Sequence, residues 1–114
     1  MPREEILDGK TIKVKVGCGT LFITLNLDKD KKPYEIFLNG SKLGGCEGNQ
    51  SAISRLISLC FQNNISTDTI IESLELIKCH SCTRAKAKLD DKEDVKNFPT
   101  SCGDAVAKFL KKIK

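Results

Sequence analysis

Tryptophan is absent, and tyrosine, histidine and methionine occur once each in 114 residues. So few Trp and Tyr side chains make base-stacking platforms scarce. No apolar run approaches the roughly 20 residues of a membrane span, so no transmembrane helix and no membrane partner are expected. The first residues, Met1-Pro2-Arg3-Glu4-Glu5, are charged and have no apolar signal core, and the expected location is the cytoplasm. Gly-x-Ser-x-Gly, P-loop and dinucleotide fingerprints are missing, and the carboxylates form no recognisable acid/base pair. With no complete catalytic constellation, the chain leans away from being an enzyme. The net charge of +4 biases it towards anionic partners but is too small to argue for nucleic acid alone.

What the chain does have is cysteine, six of them: Cys18, Cys46, Cys60, Cys79, Cys82 and Cys102. In a reducing cytoplasm that number favours metal or redox chemistry over a disulfide framework. Cys79-His80-Ser81-Cys82 puts two sulfurs on one side of a tight turn, a spacing that suits a metal knuckle or a redox dithiol. Cys60 falls in the apolar stripe of a helix and reads as a small hydrophobe, buried beside Leu56 and Phe61 and outside the site. The other five sit at breaks between elements, where helix N-termini and nearby backbone N–H groups stabilise thiolates. A structural zinc takes four ligands, so four of Cys18, Cys46, Cys79, Cys82 and Cys102 are the candidate metal set. Cys79 and Cys102 are its firmest members. Zinc is the expected metal; an iron–sulfur cluster is less favoured because its spacing signatures are missing. His80 reads as an exposed residue or a neighbour of the ligands rather than a ligand. Asp28 and Asp30 lack the Gly and Glu of a calcium loop and read as a hairpin turn. Gly44-Gly45 ahead of a helix gives only a weak phosphate-cradle signal.

The patterning predicts one α+β domain over residues 1–114, with residues 1–10 a polar lead-in carrying a turn signal at Asp8-Gly9. Ile12, Val14 and Val16 alternate with lysines, and Leu21, Ile23, Leu25 and Leu27 alternate again. Tyr34 to Leu38 supply a third strand, and short connections make the three an antiparallel meander. Ile53, Leu56, Ile57, Cys60 and Phe61 mark an amphipathic helix. Ser66 or Thr67 starts a second, with Ile70, Leu74 and Ile77 as its stripe. Residues 83–101 are charge-rich and read as a solvated loop or short helix. Ser101, with Asp104 three residues on, caps a last helix striped by Val106, Phe109, Leu110 and Ile113. The expected architecture is therefore a three-stranded antiparallel sheet packed with three helices around a cysteine-rich metal site.

Several of these pieces together resemble one family. Thr100-Ser101-Cys102-Gly103-Asp104 resembles the Thr-Ser-Cys-Pro-Asp motif that names the TSCPD domain. That domain is similar to the C-terminal region of adenosylcobalamin-dependent (class II) ribonucleotide reductases and also occurs alone. Gly17-Cys18-Gly19 resembles its first motif, and Gly44-Gly45-Cys46 with Arg55-Leu56-Ile57-Ser58-Leu59 its second. Ile77-Lys78-Cys79 resembles its third, so the likeness runs from about residue 11 to residue 110. The family pattern emphasises Cys18, Cys46, Cys79 and Cys102, with Cys82 less regular, and Gly103 departs from the motif's proline. The resemblance implies an accessory domain linked to deoxynucleotide synthesis, with a ribonucleotide reductase as an expected protein partner. It does not imply reductase activity, which needs a large barrel that this chain is too short to contain. Two functions follow. One is a zinc-held binding module for a protein or, through basic residues such as Lys13, Lys15, Arg84 and Lys86, for nucleic acid. The other is a dithiol accessory in which Cys79 and Cys82 reduce a partner's disulfide.

Overall fold

A computed structural model describes residues 3–41 and 47–113; the Gly44-Gly45-Cys46 stretch lies outside the described residues. The period-two patterns become three strands, β1 (Asp8–Val16), β2 (Gly19–Leu27) and β3 (Pro33–Ser41), in the order β1-β2-β3 with both pairings antiparallel. β1 begins earlier than the hydrophobic alternation suggests. Asp8 pairs with Leu27 and Gly9 with Asn26, so the expected Asp8-Gly9 turn is strand. The glycine is required there because a Cβ would run into the Asn26 side chain and the Leu25 carbonyl. Between β2 and β3 the Asp28 carboxylate accepts from the N–H groups of Asp30 (2.8 Å) and Lys32 (3.0 Å), which is the hairpin turn expected.

Five helices follow among the described residues: α1 (Glu47–Gln62), α2 (Thr67–Leu74), α3 (His80–Ala87), α4 (Lys92–Asn97) and α5 (Cys102–Ile113). The expectation of three did not include α3, and α4 falls where residues 83–101 read as a solvated loop or short helix. Cys82 is the one buried residue of α3 and α4 has none, so neither carries an apolar stripe to announce it. Local chemistry makes them instead: Cys79 caps α3, and the Asp91 carboxylate accepts from Glu93 N–H and Asp94 N–H to start α4. Ser66 caps α2 by accepting from Thr69 N–H. That helix ends at Leu74, where Glu75 turns extended and Leu76 takes φ 64°, so Ile77 falls outside its stripe and is half exposed.

Leu21, Ile23, Leu25, Ile36 and Leu38 from the sheet meet Ile57, Phe61, Ile70, Ile71 and the Ala105–Leu110 stretch in one core. α1 buries a face turned part of the way from the one its apolar residues mark, keeping Ile57 and Phe61 in the core. Gln50, Ser54, Ile57 and Phe61 are buried, while Leu56 is 63% exposed and Cys60 only half-buried. The reason is the free edge of β3. Ser54 Oγ accepts from Leu38 N–H (3.1 Å), Ser58 Oγ accepts from Ile36 N–H (3.0 Å), and Gln62 Nε2 donates to the Tyr34 carbonyl (3.3 Å). Polar side chains on one helix stripe thus satisfy a strand edge that would otherwise be open to pairing. Among the described residues, no helix is long and apolar enough to cross a membrane.

Candidate functional site

The β1–β2 hairpin tip, Gly17-Cys18, rests on the first turn of α3. Gly17 N–H donates to Cys82 Sγ at 3.1 Å. A Cβ at Gly17 would overlap the backbone of Ser81 and Cys82, so no other residue allows this approach. Cys79, the N-cap of α3, accepts on its sulfur from Cys82 N–H at 3.4 Å. The C-x-x-C pair is therefore the opening of a helix, with one sulfur at the cap and the other buried behind it.

The chain ahead of α3 is tied to the chain ahead of α5. Cys79 N–H donates to the Thr100 carbonyl at 2.7 Å, and Thr100 Oγ1 donates to the Ile77 carbonyl at 2.8 Å. α5 then starts much as the sequence suggests. Ser101 Oγ accepts from Asp104 N–H at 3.0 Å. The Asp104 carboxylate departs from a capping box, accepting instead from Thr100 N–H (2.9 Å) and Leu76 N–H (2.8 Å). These bonds fix Cys102, the first residue of α5, relative to Cys79. Gln50 Nε2, from α1, donates to Cys102 Sγ at 3.5 Å.

The result is a cavity of about 400 Å³ with Cys18, Cys79, Cys82 and Cys102 in its wall beside apolar Ile53 and Leu56. Cys18, Cys79 and Cys102 are half-buried, and Cys82 is 1% exposed. Burial pushes the Cys82 thiol up to about 12. The Gly17 N–H opposes this, while the Cys79 thiol and the charges of Cys79 and Cys102 add to it. The five described cysteines are not joined in disulfides with one another. Cys60 is not in the cavity wall, and His80 is exposed. Cys46, the other candidate, lies outside the described residues.

The donor chemistry suits a soft or borderline cation: several thiols and N–H groups aimed at sulfur. The spacing is more open than a closed site. Among the described residues, no group of three or more His, Cys, Asp or Glu side chains is placed to hold one metal ion. Sequence reasoning missed Gln50 and Leu56 as parts of this site. A signal for Gln50 existed, since Gln50, Ser54, Ile57 and Phe61 recur at helical spacing. No curated protein and no solved structure matches the chain. The family model described as the TSCPD domain matches residues 1–114, and the chain belongs to that family.

Proposed function

We propose that the chain is a thiolate accessory domain that takes up zinc through cysteines of the cavity wall, Cys79 and Cys102 foremost, with Cys18 and Cys82 beside them. The observation that carries this reading is the gathering of four thiols, from three separate parts of the chain, around one cavity. Independent structural roles give no reason for such convergence. The N–H donors to Cys82, Cys79 and Cys102 support it further, since they stabilise the thiolate form that a metal requires. Binding would draw the sulfurs together and release their protons, so part of the binding free energy goes into closing the cavity. Structural zinc contributes on the order of 10 kcal/mol in small peptides at neutral pH, ample for that closure.

The arrangement of Cys79 favours a second reading. A half-buried sulfur at a helix N-cap with a buried sulfur behind it suits thiol–disulfide exchange. The Cys79 thiolate would attack a partner's disulfide, releasing one partner thiolate. Cys82, deprotonating, would then displace the second. The partner leaves with both sulfurs reduced and protonated, and Cys79–Cys82 leaves oxidised.

Elemental analysis of protein purified anaerobically without chelator separates the two. The expected result is about one zinc per chain, lost in Cys79→Ser and Cys102→Ser and kept in Cys60→Ser. Cys18→Ser, Cys46→Ser and Cys82→Ser then rank the remaining ligands. Metal-free wild type with a rapidly exchanging Cys79–Cys82 pair overturns the zinc reading in favour of the dithiol.

A further inference from the structure

α1, α2, α3 and α5 contribute to the core on one side of the sheet, and on the opposite side Thr11, Lys13, Lys15, Phe22, Phe37 and Asn39 are exposed. The strand register lays out that open face row by row. Lys15 stands beside Thr20; Lys13, Phe22 and Asn39 form the next row; Thr11, Thr24 and Phe37 the next; Gly9, Asn26 and Glu35 the last. Phe22 is 37% and Phe37 46% exposed, although each sits in the middle of its strand. They are diagonal neighbours on adjacent strands, which places their backbones roughly 7–8 Å apart. Thr11 and Thr24, in the same row as Phe37, share a hydrogen bond at 2.9 Å.

Charge on this face is one-sided. Glu35 carries its carboxylate, and that group is already engaged. It accepts from Arg3 Nη2 (2.7 Å), Arg3 Nε (3.0 Å) and Asn26 Nδ2 (2.9 Å). Lys13 and Lys15 remain exposed at the other end, flanking Phe22.

We propose that this face binds single-stranded nucleic acid. Phe22 and Phe37 stack two successive bases, Lys13 and Lys15 meet the backbone phosphates, and the Asn39 amide reaches a base edge. Two rings on neighbouring strands with cations along one side form a stacking platform. A second copy of this chain fits the same face less well. It would bring the same lysines into the contact, with no unengaged carboxylate on the described face to meet them. This surface lies across the sheet from the thiol cavity and stands whether or not the cavity takes zinc. The shortage of Trp and Tyr argues against stacking in general, but these two phenylalanines acquire the role through register.

The test is fluorescence anisotropy with labelled oligothymidylate and oligouridylate and the full chain, at about 50 mM salt and upward. Both probes should bind, and a preference for one names the natural source. Phe22→Ala and Phe37→Ala should each weaken binding by about 5- to 100-fold. Lys13→Gln with Lys15→Gln should flatten the salt dependence by about 1.4 in log–log slope, as two lost phosphate contacts require. Circular dichroism melts check that each variant is folded. If a Phe variant is not, the lysine pair, which lies on the surface, carries the test. Wild type that binds neither probe, Phe and Lys variants that bind like wild type, or a dimer abolished by Phe22→Ala overturns the proposal.

Discussion

Cys82 and Asp104 occupy the same place in two different helices. Each is the third residue of its helix, each is 1% exposed, and each donates its backbone N–H to the capping side chain three residues before, Cys79 in one case and Ser101 in the other. Both side chains accept backbone N–H groups from a neighbouring segment. Their acidities nevertheless move in opposite directions. At Asp104 burial is the largest single influence and opposes the charge. The N–H donors of Leu76 and Thr100, aided by Lys108, outweigh it and hold the carboxyl below its usual range. At Cys82 one N–H, from Gly17, faces burial and two neighbouring thiols, and burial wins. Asp104 is a completed anion site that locks two helix starts together. Cys82 is an incomplete one, with a single N–H donor and no cation among its described neighbours to finish the compensation.

The largest effect should come from removing the completed anion. Asp104→Ala leaves the part-buried N–H groups of Leu76 and Thr100 without their acceptor, a loss of about 2–3 kcal/mol in unfolding free energy. Cys82→Ala, made in chelator-treated protein, removes a neutral thiol and should cost about 1 kcal/mol. Urea denaturation of the two variants side by side checks the contrast. Equal losses would mean that Cys82 is as fully built into the apo fold as Asp104.

The same contrast should appear against pH. Asp104 has a folded pKa below its ordinary 3.8, so its contribution is present above that value and fades as pH falls through the depressed one. Cys82 is raised from 9.0 to about 12, so the folded state holds a proton that the unfolded chain gives up. Its contribution is complete below pH 9.0 and is lost as pH rises towards about 12. Chelator-treated wild type should therefore lose stability at both ends. Asp104→Asn should reduce the acid-side slope, leaving the part that Glu35 contributes through Arg3, and Cys82→Ala should remove the alkaline one. Thermal melts across that pH range decide it, and an alkaline slope that survives Cys82→Ala would assign it to other groups.

The parts of this arrangement that were legible in the sequence are those with a local signature. Alternation at Ile12, Val14, Val16 and at Leu21, Ile23, Leu25 gave the strands and the face each residue takes, because period two assigns each residue a face. The helix-opening position of Cys102 followed from Ser101 and Asp104, whereas Cys79 read as the residue after a helix and proves to be the cap of one. α3 and α4 were hidden because capping, rather than an apolar stripe, makes them. The burial of α1 was misjudged at Leu56 and Cys60 because the β3 edge draws Ser54 and Ser58 inward, and an edge's need for donors and acceptors is invisible until the neighbouring strand is placed. The four-thiol cavity depends on Gly17 accepting the backbone of Ser81 and Cys82, a contact across 65 positions that no local pattern announces.

The smallest effect sharpens the comparison most. Lys108 Nζ lies 3.5 Å from Asp104 Oδ2, one helical turn along α5, and its side chain is 35% exposed. If this ion pair were what keeps Asp104 charged, the difference from Cys82 would reduce to the presence of a lysine. The geometry argues otherwise, since the two N–H groups are closer, at 2.8 and 2.9 Å, and belong to backbone that cannot swing away. A partly exposed i,i+4 pair contributes about 0.5 kcal/mol, and salt screens it. Lys108→Gln should therefore lower stability by about that amount at low salt, leave the acid-side slope nearly intact, and lose its effect as salt rises. A loss approaching that of Asp104→Ala would show that the lysine, rather than the backbone donors, completes the anion site.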